Sequence, residues 1–397
     1  MQKEKLTILF TVLVDVIGFG IVIPILPFYV SSFGASAFTV TLLFSAFAFF
    51  AFISSPFLGA LSDKIGRRPV LLASIASTAI GWFVFAAAGS IPLLFLGRII
   101  DGAAAGNFTV AQSALVDISK DEKDRASNLG LIGATFGIGF MLGPLIGGVL
   151  STVSHSFPFW IAGCMASINV VLTFRNLRET NTRRDPAMLL SSNPLAPLAR
   201  AVVNVELRPY FLSWILFGIS FMSMQSVFSL YAENAFGFNS FATGLLFSGM
   251  GVFTAFNQGV LLKRFWLKRF SEATLQYLMT IMLCVSMFLM TLRILPLFYF
   301  AIVLTAHSQS NLRVVITSRV AGLAPPHTKG EVLGIMSSLM AASMVIAPIV
   351  AGALFELDII LPFVLGTALM AVSVFLEYKT YMRTKAQIHP GNLTRSV

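Results

Sequence analysis

Residues 39–89 read TVTLLFSAFAFFAFISSPFLGALSDKIGRRPVLLASIASTAIGWFVFAAAG. Two apolar runs, 39–61 and 70–89, flank a loop in which Asp63, Lys64, Arg67 and Arg68 crowd together, fenced by Gly59, Gly66 and Pro69. Each run has the ~20 residues that an α-helix needs to cross a bilayer core. In hydrocarbon only helices and closed barrels satisfy every backbone hydrogen bond, and an unalternating run of this length is a helix. The stretch therefore predicts a chain of membrane helices joined by short polar turns.

The pattern recurs along the chain. Comparable runs lie at 6–30, 92–116, 127–151 and 157–177, then at 209–231, 240–262, 273–294, 296–318, 331–355 and 359–378. The expected fold is an all-α integral membrane protein, with twelve transmembrane helices in two six-helix pseudo-symmetric halves around a central cavity. The halves are placed at 1–177 and 209–380, with a proline-containing, arginine-rich linker at 178–208 and a tail at 381–397. Composition agrees, since 56% of residues are hydrophobic and only 11% charged, against roughly 25% charged in soluble chains. Cys164 and Cys284 fall inside apolar runs, which argues against a disulfide framework and against metal ligation. MQKEKL precedes the first run without a small-residue cleavage site, the pattern of an uncleaved span.

The net charge of +10 is a matter of topology. Taking the N-terminus as cytoplasmic, 24 of the 27 Lys and Arg residues fall at the termini or in loops facing the cytoplasm. Arg98 and Arg313 lie within spans and Arg293 at an outer end. This positive-inside bias puts both termini in the cytoplasm and argues against nucleic-acid binding.

The halves echo each other. LGLIGATFGIGFMLGPLIGGVL around the fifth run aligns with LGIMSSLMAASMVIAPIVAGAL around the eleventh at an offset of 204, so that Pro144 meets Pro348 and Gly148 meets Gly352. GVLLKRFWLKR from Gly259 aligns with GALSDKIGRRP at an offset of 200, keeping basic residues and losing the aspartate. Such duplication is typical of transporters whose site lies between the repeats.

Charged groups inside spans are functional candidates by default, because each costs about 2.5–3.5 kcal/mol to insert. Asp15 lies about 13 Å into the first span at 1.5 Å per residue. A carboxyl at that depth is a candidate for taking up and releasing a proton. On the fourth run Arg98, Asp101, Ala105, Thr109 and Gln112 share one helical stripe. Arg98 either forms a structural ion pair with Asp101 or tunes a proton on Asp15 or Asp101. AHSQSNLRVVITSR on the tenth run carries His307, Gln309, Asn311 and Arg313, which project in several directions and predict a helix shielded from lipid. His307 is equally suited to an interhelical hydrogen bond and to a proton or substrate role. Gln112, Gln225, His307, Asn311 and Arg313 are the candidate substrate contacts, with Asn257 and Gln258 as weaker ones. Phe19, Phe136, Phe221 and Phe228 could line an apolar cavity. Gly130, Gly139, Gly143, Gly147 and Gly148, with Pro144, make the fifth span a close-packing, bent interface helix.

These residues resemble a known family. GALSDKIGRRP, LGRIIDG with Arg98, the G-x8-G-x3-GP-x2-GG pattern met from Gly130 to Gly148, and VDVIGFGIVIPILP with Asp15 are similar to motifs of the major facilitator superfamily. They resemble most the twelve-span drug:proton antiporter branch and its tetracycline-exporter-like group. The resemblance implies a transporter working by alternating access on a proton gradient, with no cofactor. It also implies a conformational latch in which Asp63 and Arg67, with Arg68 beside them, meet Asp117 and hold the outward-open state. Asp15, Arg98 and Asp101 become the proton-coupling candidates. The chain departs from tetracycline exporters in lacking acidic residues in its third and ninth spans, which argues against tetracycline as the substrate.

The leading functional expectation is thus a proton-coupled antiporter that exports amphiphilic small molecules or drugs. Its partners are substrate, protons and lipid; it acts as a monomer in a bacterial inner membrane. The alternative is transport, outward or inward, of one metabolite or siderophore-like anion, with Arg98 and Arg313 as anion contacts. A non-transporting scaffold is a third reading, disfavoured by the intact loop and Asp15. No HExxH, Gly-x-Ser-x-Gly or paired-carboxylate arrangement in the spans points to an enzyme.

Overall fold

Helix ends follow local chemistry. In the computed structural model, which describes residues 2–181, 195–203, 207–325 and 328–388, all regular structure among the described residues is helical. In chain order the helices are α1 (Gln2–Ser31), α2 (Ala37–Ile65), α3 (Arg67–Ala86), α4 (Ile91–Ala103), α5 (Asn107–Asp117), α6 (Glu122–Leu150), α7 (Phe157–Asn176) and α8 (Ala196–Val203). They continue as α9 (Arg208–Phe236), α10 (Ser240–Phe256), α11 (Leu267–Arg269), α12 (Glu272–Thr291), α13 (Leu295–Leu323), α14 (Lys329–Leu357) and α15 (Leu361–Ile388). A π-helical segment, Asn257–Trp266, joins α10 to α11. Ser36, Asp121 and Ser271 cap α2, α6 and α12 by accepting an N–H bond three residues on, satisfying donors that a helix start leaves open. Much of the expected linker (182–194 and 204–206) and the end of the expected tail (389–397) lie outside the described residues.

Eleven helical stretches are long and apolar enough to cross a membrane, with α4 and α5 together making one and the α10–α11 stretch another. The twelfth long helix is α13, whose His307, Gln309, Asn311, Arg313 and Arg319 lower its hydropathy. Its middle, Thr305 to Leu312, is buried, as the shielding expectation requires. Large apolar side chains such as Leu357, Phe174 and Phe300 stand exposed, the surface that lipid covers. Since lipid is as apolar as leucine, close packing and interhelical hydrogen bonds must hold the helices together. Ser54 donates to the Gly102 carbonyl (2.7 Å), Ser77 to Ile100 (2.8 Å) and Trp214 to Met336 (2.8 Å), each contributing about 0.6 kcal/mol.

The fourth run is not one helix. Between α4 and α5 the backbone leaves the helical path at Ala104, and the Gly106 N–H turns back to the Ala104 carbonyl at 2.7 Å. Gly102 and Gly106 weaken helix propensity on both sides of this break. The single stripe expected from Arg98 to Gln112 is therefore interrupted. Arg98 and Asp101 stay together on α4, while Thr109 on α5 bonds Ser55 of α2 at 2.9 Å.

By contacts the chain divides into two compact units, Met1–Pro194 with Ser226–Gly251, and Leu195–Gln225 with Val252–Val397. The grouping differs from the expected six-plus-six division in that residues 226–251 pack with the first half. Within that unit Ser229 donates to the Ile23 carbonyl (3.3 Å), and Ser248 to Met141 (3.0 Å). A core of Ile8, Val12, Val16, Leu71, Ile75 and Leu115 joins α1, α3 and α5.

The α6 glycines serve this packing unequally. A Cβ on Gly143 would lie 2.8 Å from the Gly20 Cα of α1, whereas one on Gly130 would meet nothing within 4 Å. Gly143→Val is accordingly expected to destabilise the protein by about 1–3 kcal/mol through overpacking. Gly130→Val should stay within about 0.5 kcal/mol, and comparing melting of the purified variants in detergent checks both.

Candidate functional site

A chain of polar groups runs through the first unit. α1 places Asp15 where the buried Asn107 of α5 donates from Nδ2 to its Oδ1 at 2.8 Å. The same amide donates to Thr78 Oγ1 of α3 at 3.0 Å. Thr78 in turn lies beside Asp101, and Asp101 Oδ2 lies 3.7 Å from Arg98 Nη2. The order is Asp15, Asn107, Thr78, Asp101, Arg98, drawn from α1, α5, α3 and α4. Arg98 thus pairs with Asp101, and Asp15 is reached only through intermediates.

Arg98 is 3% exposed. Its guanidinium stands over Trp82 (4.5 Å to the ring centre), Phe85 (4.8 Å) and Phe47 (5.4 Å). Desolvated cation–π contacts reach about 2 kcal/mol, and here three ring faces substitute for hydrogen bonds. Nε and Nη2 have no hydrogen-bond partner among the described residues. The guanidinium is thus held by three rings and by one acid, Asp101, at 3.7 Å.

The second constellation surrounds the loop. Arg67 Nη2 meets Asp63 Oδ1 at 2.6 Å, Nε meets Asp117 Oδ2 at 3.0 Å, and Nη1 donates to Ser62 Oγ at 2.7 Å. Asp63, Arg67 and Asp117 are therefore together. Arg68 is not with them: its Nη2 donates to the Phe174 carbonyl at 2.8 Å and its guanidinium covers the Phe174 ring.

The linker start supplies a partner that sequence reading missed. Glu179 accepts from the Arg67 N–H (2.8 Å) and the Arg68 N–H (3.2 Å), capping α3 from outside it. Thr180 donates to Asp117 Oδ2 (3.3 Å), and Asn181 Nδ2 to the Asp63 carbonyl (3.0 Å). Gly66, at φ +116° and with a would-be Cβ inside the Glu179 carboxylate, is the residue that lets the acid approach.

In the second unit the candidates separate. Asn311 is buried and receives a hydrogen bond from Asn257 Nδ2 at 2.9 Å, so its carbonyl serves packing. His307 is ringed by Phe253 and Trp266, with its centroid 4.8 Å from the latter. Its buried Nε2 has no hydrogen-bond partner among the described residues. Arg313 is exposed, with no side-chain ion pair among the described residues. Gln225 is buried on α9, and Gln112 half-buried on α5. Phe221 and Phe228 are buried, Phe19 half-buried and Phe136 exposed. Asn107 also escaped the sequence reading, although an amide just after the GAAAG break was its signal.

Helices of spanning length with ionisable side chains inside them are the pattern of a multi-span membrane transporter. The chain belongs to the Major Facilitator Superfamily, whose pattern it matches over residues 8–306. It is a transporter, not an enzyme, as the motifs implied. It is 28% identical over 392 residues to the quinolone resistance protein NorA of Staphylococcus aureus, covering 96% of this chain and 98% of that one. To the tetracycline resistance protein, class H, of Pasteurella multocida it is 29% identical over 290 residues, 71% of each chain. Both similarities agree with the drug-exporter group that the motifs resemble. Solved structures share its fold: the nucleoside transporter NupG at a TM-score of 0.76 and 14% identity, covering 96% of this chain and 98% of that one, and the human organic anion transporter MFSD10 at 0.71 and 24%, covering 95% and 99%.

Proposed function

We propose that the protein is a proton-coupled antiporter exporting amphiphilic small molecules by alternating access, in a bacterial inner membrane with both termini cytoplasmic. The observation that carries the coupling is the Asp15–Asn107–Thr78–Asp101–Arg98 chain. It contains two carboxyls inside spans, one cation, and hydroxyl and amide groups between them. Similarity to quinolone and tetracycline resistance proteins supports drug-like substrates. The Arg67 cluster is the latch in this reading, and the glycine face of α6 the surface along which helices shift. The proton gradient supplies the energy, and the working unit is the monomer.

The test is flux in proteoliposomes. With an imposed pH gradient, adding a quinolone to the vesicles should raise proton flux above that of empty liposomes. Quinolone movement indifferent to the gradient would sink the coupling.

A second reading, transport of an organic anion, is favoured by Arg313, exposed on α13 without an acidic partner among the described residues. A guanidinium so placed forks well onto a carboxylate or phosphate. Arg313→Ala is expected to cut flux of an anionic probe by tenfold or more, about 1.4 kcal/mol or above, while a cationic dye is unaffected. Equal losses for both probes would remove the anion reading.

A further inference from the structure

The loop echo in the second half has lost its aspartate, yet a buried acid stands at the same end of the second unit. Glu377 of α15 is 7% exposed, at the end where the linker enters. Its Oε1 accepts from Ser213 Oγ of α9 (2.7 Å) and Gln276 Nε2 of α12 (2.9 Å), and its Oε2 from Thr280 Oγ1 (2.8 Å). On the far side of Gln276, Oε1 accepts a short hydrogen bond from Arg319 Nη1 of α13. Arg319 Nη2 donates to the Tyr210 hydroxyl of α9 at 3.2 Å, and the guanidinium lies 5.0 Å from that ring's centre.

The amide orientation follows from its neighbours. A guanidinium only donates and an ionised carboxylate only accepts, so the Gln276 oxygen must face Arg319 and its NH2 must face Glu377. Cation and acid are thus joined by an aligned amide instead of touching. An ionisable group inside a span is costly and is retained for a purpose, and neither the coupling chain nor the loop cluster uses this one.

Position in the repeat gives the purpose. Arg319 follows Asp117 by 202 residues and Glu377 follows Glu179 by 198, both close to the offsets of the two echoes. In the first unit the start of α3, the end of α5 and the residues after α7 supply the loop cluster. In the second, the start of α12, the end of α13 and the middle of α15 supply Gln276, Arg319 and Glu377. The sign changes at one position, where a tenth-span cation, Arg319, stands in for the fourth-span acid Asp117, while Glu179 and Glu377 are both acids.

We infer that Glu377, Gln276 and Arg319 form the second half's own charge cluster, with a cation where the first half has its fourth-span acid, and that Glu377 is a positioning residue holding the start of α9 to α12, α13 and α15. The role in transport rests on the transporter reading; the cluster itself does not.

The assay is a mutant cycle on the purified full chain, read by thermal melting and by amide exchange over residues 208–216. Glu377→Gln and Arg319→Gln should each lower the melting temperature and speed exchange at the start of α9 by roughly tenfold. The double variant should lose less than the sum, and Gln276→Leu should make the two additive, because coupling between groups that do not touch needs the amide. Glu377→Asp should restore part of the loss. Additive losses in the wild-type background, or unchanged exchange at 208–216, would overturn the cluster. In quinolone-loaded vesicles Glu377→Gln should lower maximal rate with KM unchanged; an unchanged rate would reduce the cluster to packing. Wild-type vesicles that move no quinolone would count against the transport reading alone, with the cycle still deciding the cluster.

Discussion

Asp15→Asn is expected to bring quinolone-driven proton flux down to that of empty liposomes while the protein still folds. The asparagine oxygen can accept the same 2.8 Å bond from Asn107 Nδ2 that Asp15 Oδ1 accepts. The polar chain keeps its geometry, and the loss in stability should stay near the ~1 kcal/mol worth of one hydrogen bond. What disappears is the only side-chain carboxyl within the apolar run 6–30 of α1. Flux and melting temperature measured on one preparation separate these effects. Retained coupling would move the proton site along the chain to Asp101.

Arg98→Ala should have the largest effect on stability. It removes the cation between Trp82, Phe85 and Phe47 and strands Asp101, leaving a buried carboxylate without its charge partner. Breaking a buried pair from one side costs about 3–5 kcal/mol, enough to prevent recovery of folded protein in detergent. Removing both charges as Arg98→Leu with Asp101→Asn should recover much of that loss, since an apolar replacement is often neutral. If the single variant melts with wild type, the pair does not carry this part of the bundle.

How much was legible in the sequence differs by element. Run length and the position of lysines and arginines are local properties, and they located the helices because a bilayer tests each span separately. The break between α4 and α5 escaped because it depends on what Gly106 and Asn107 meet, not on hydropathy. Arg68 was grouped with Arg67 on adjacency, yet neighbouring residues on a helix point about 100° apart, and one meets Asp117 while the other meets Phe174. Gly130 belongs to the glycine pattern in sequence and to open space in the structure.

By itself the sequence determined the membrane plan, the family, and the candidacy of Asp15, Arg98 and the Asp63–Arg67–Asp117 set, because charge inside hydrocarbon is costly enough to mark its own position. Tertiary structure alone decided the partners. Asn107 lies 92 residues from Asp15, and Glu179 lies 112 from Arg67. Gln276 bridges Arg319 and Glu377 from a third helix. A polar side chain in a span must find a hydrogen bond wherever the fold brings one, and separation along the chain carries no record of that meeting.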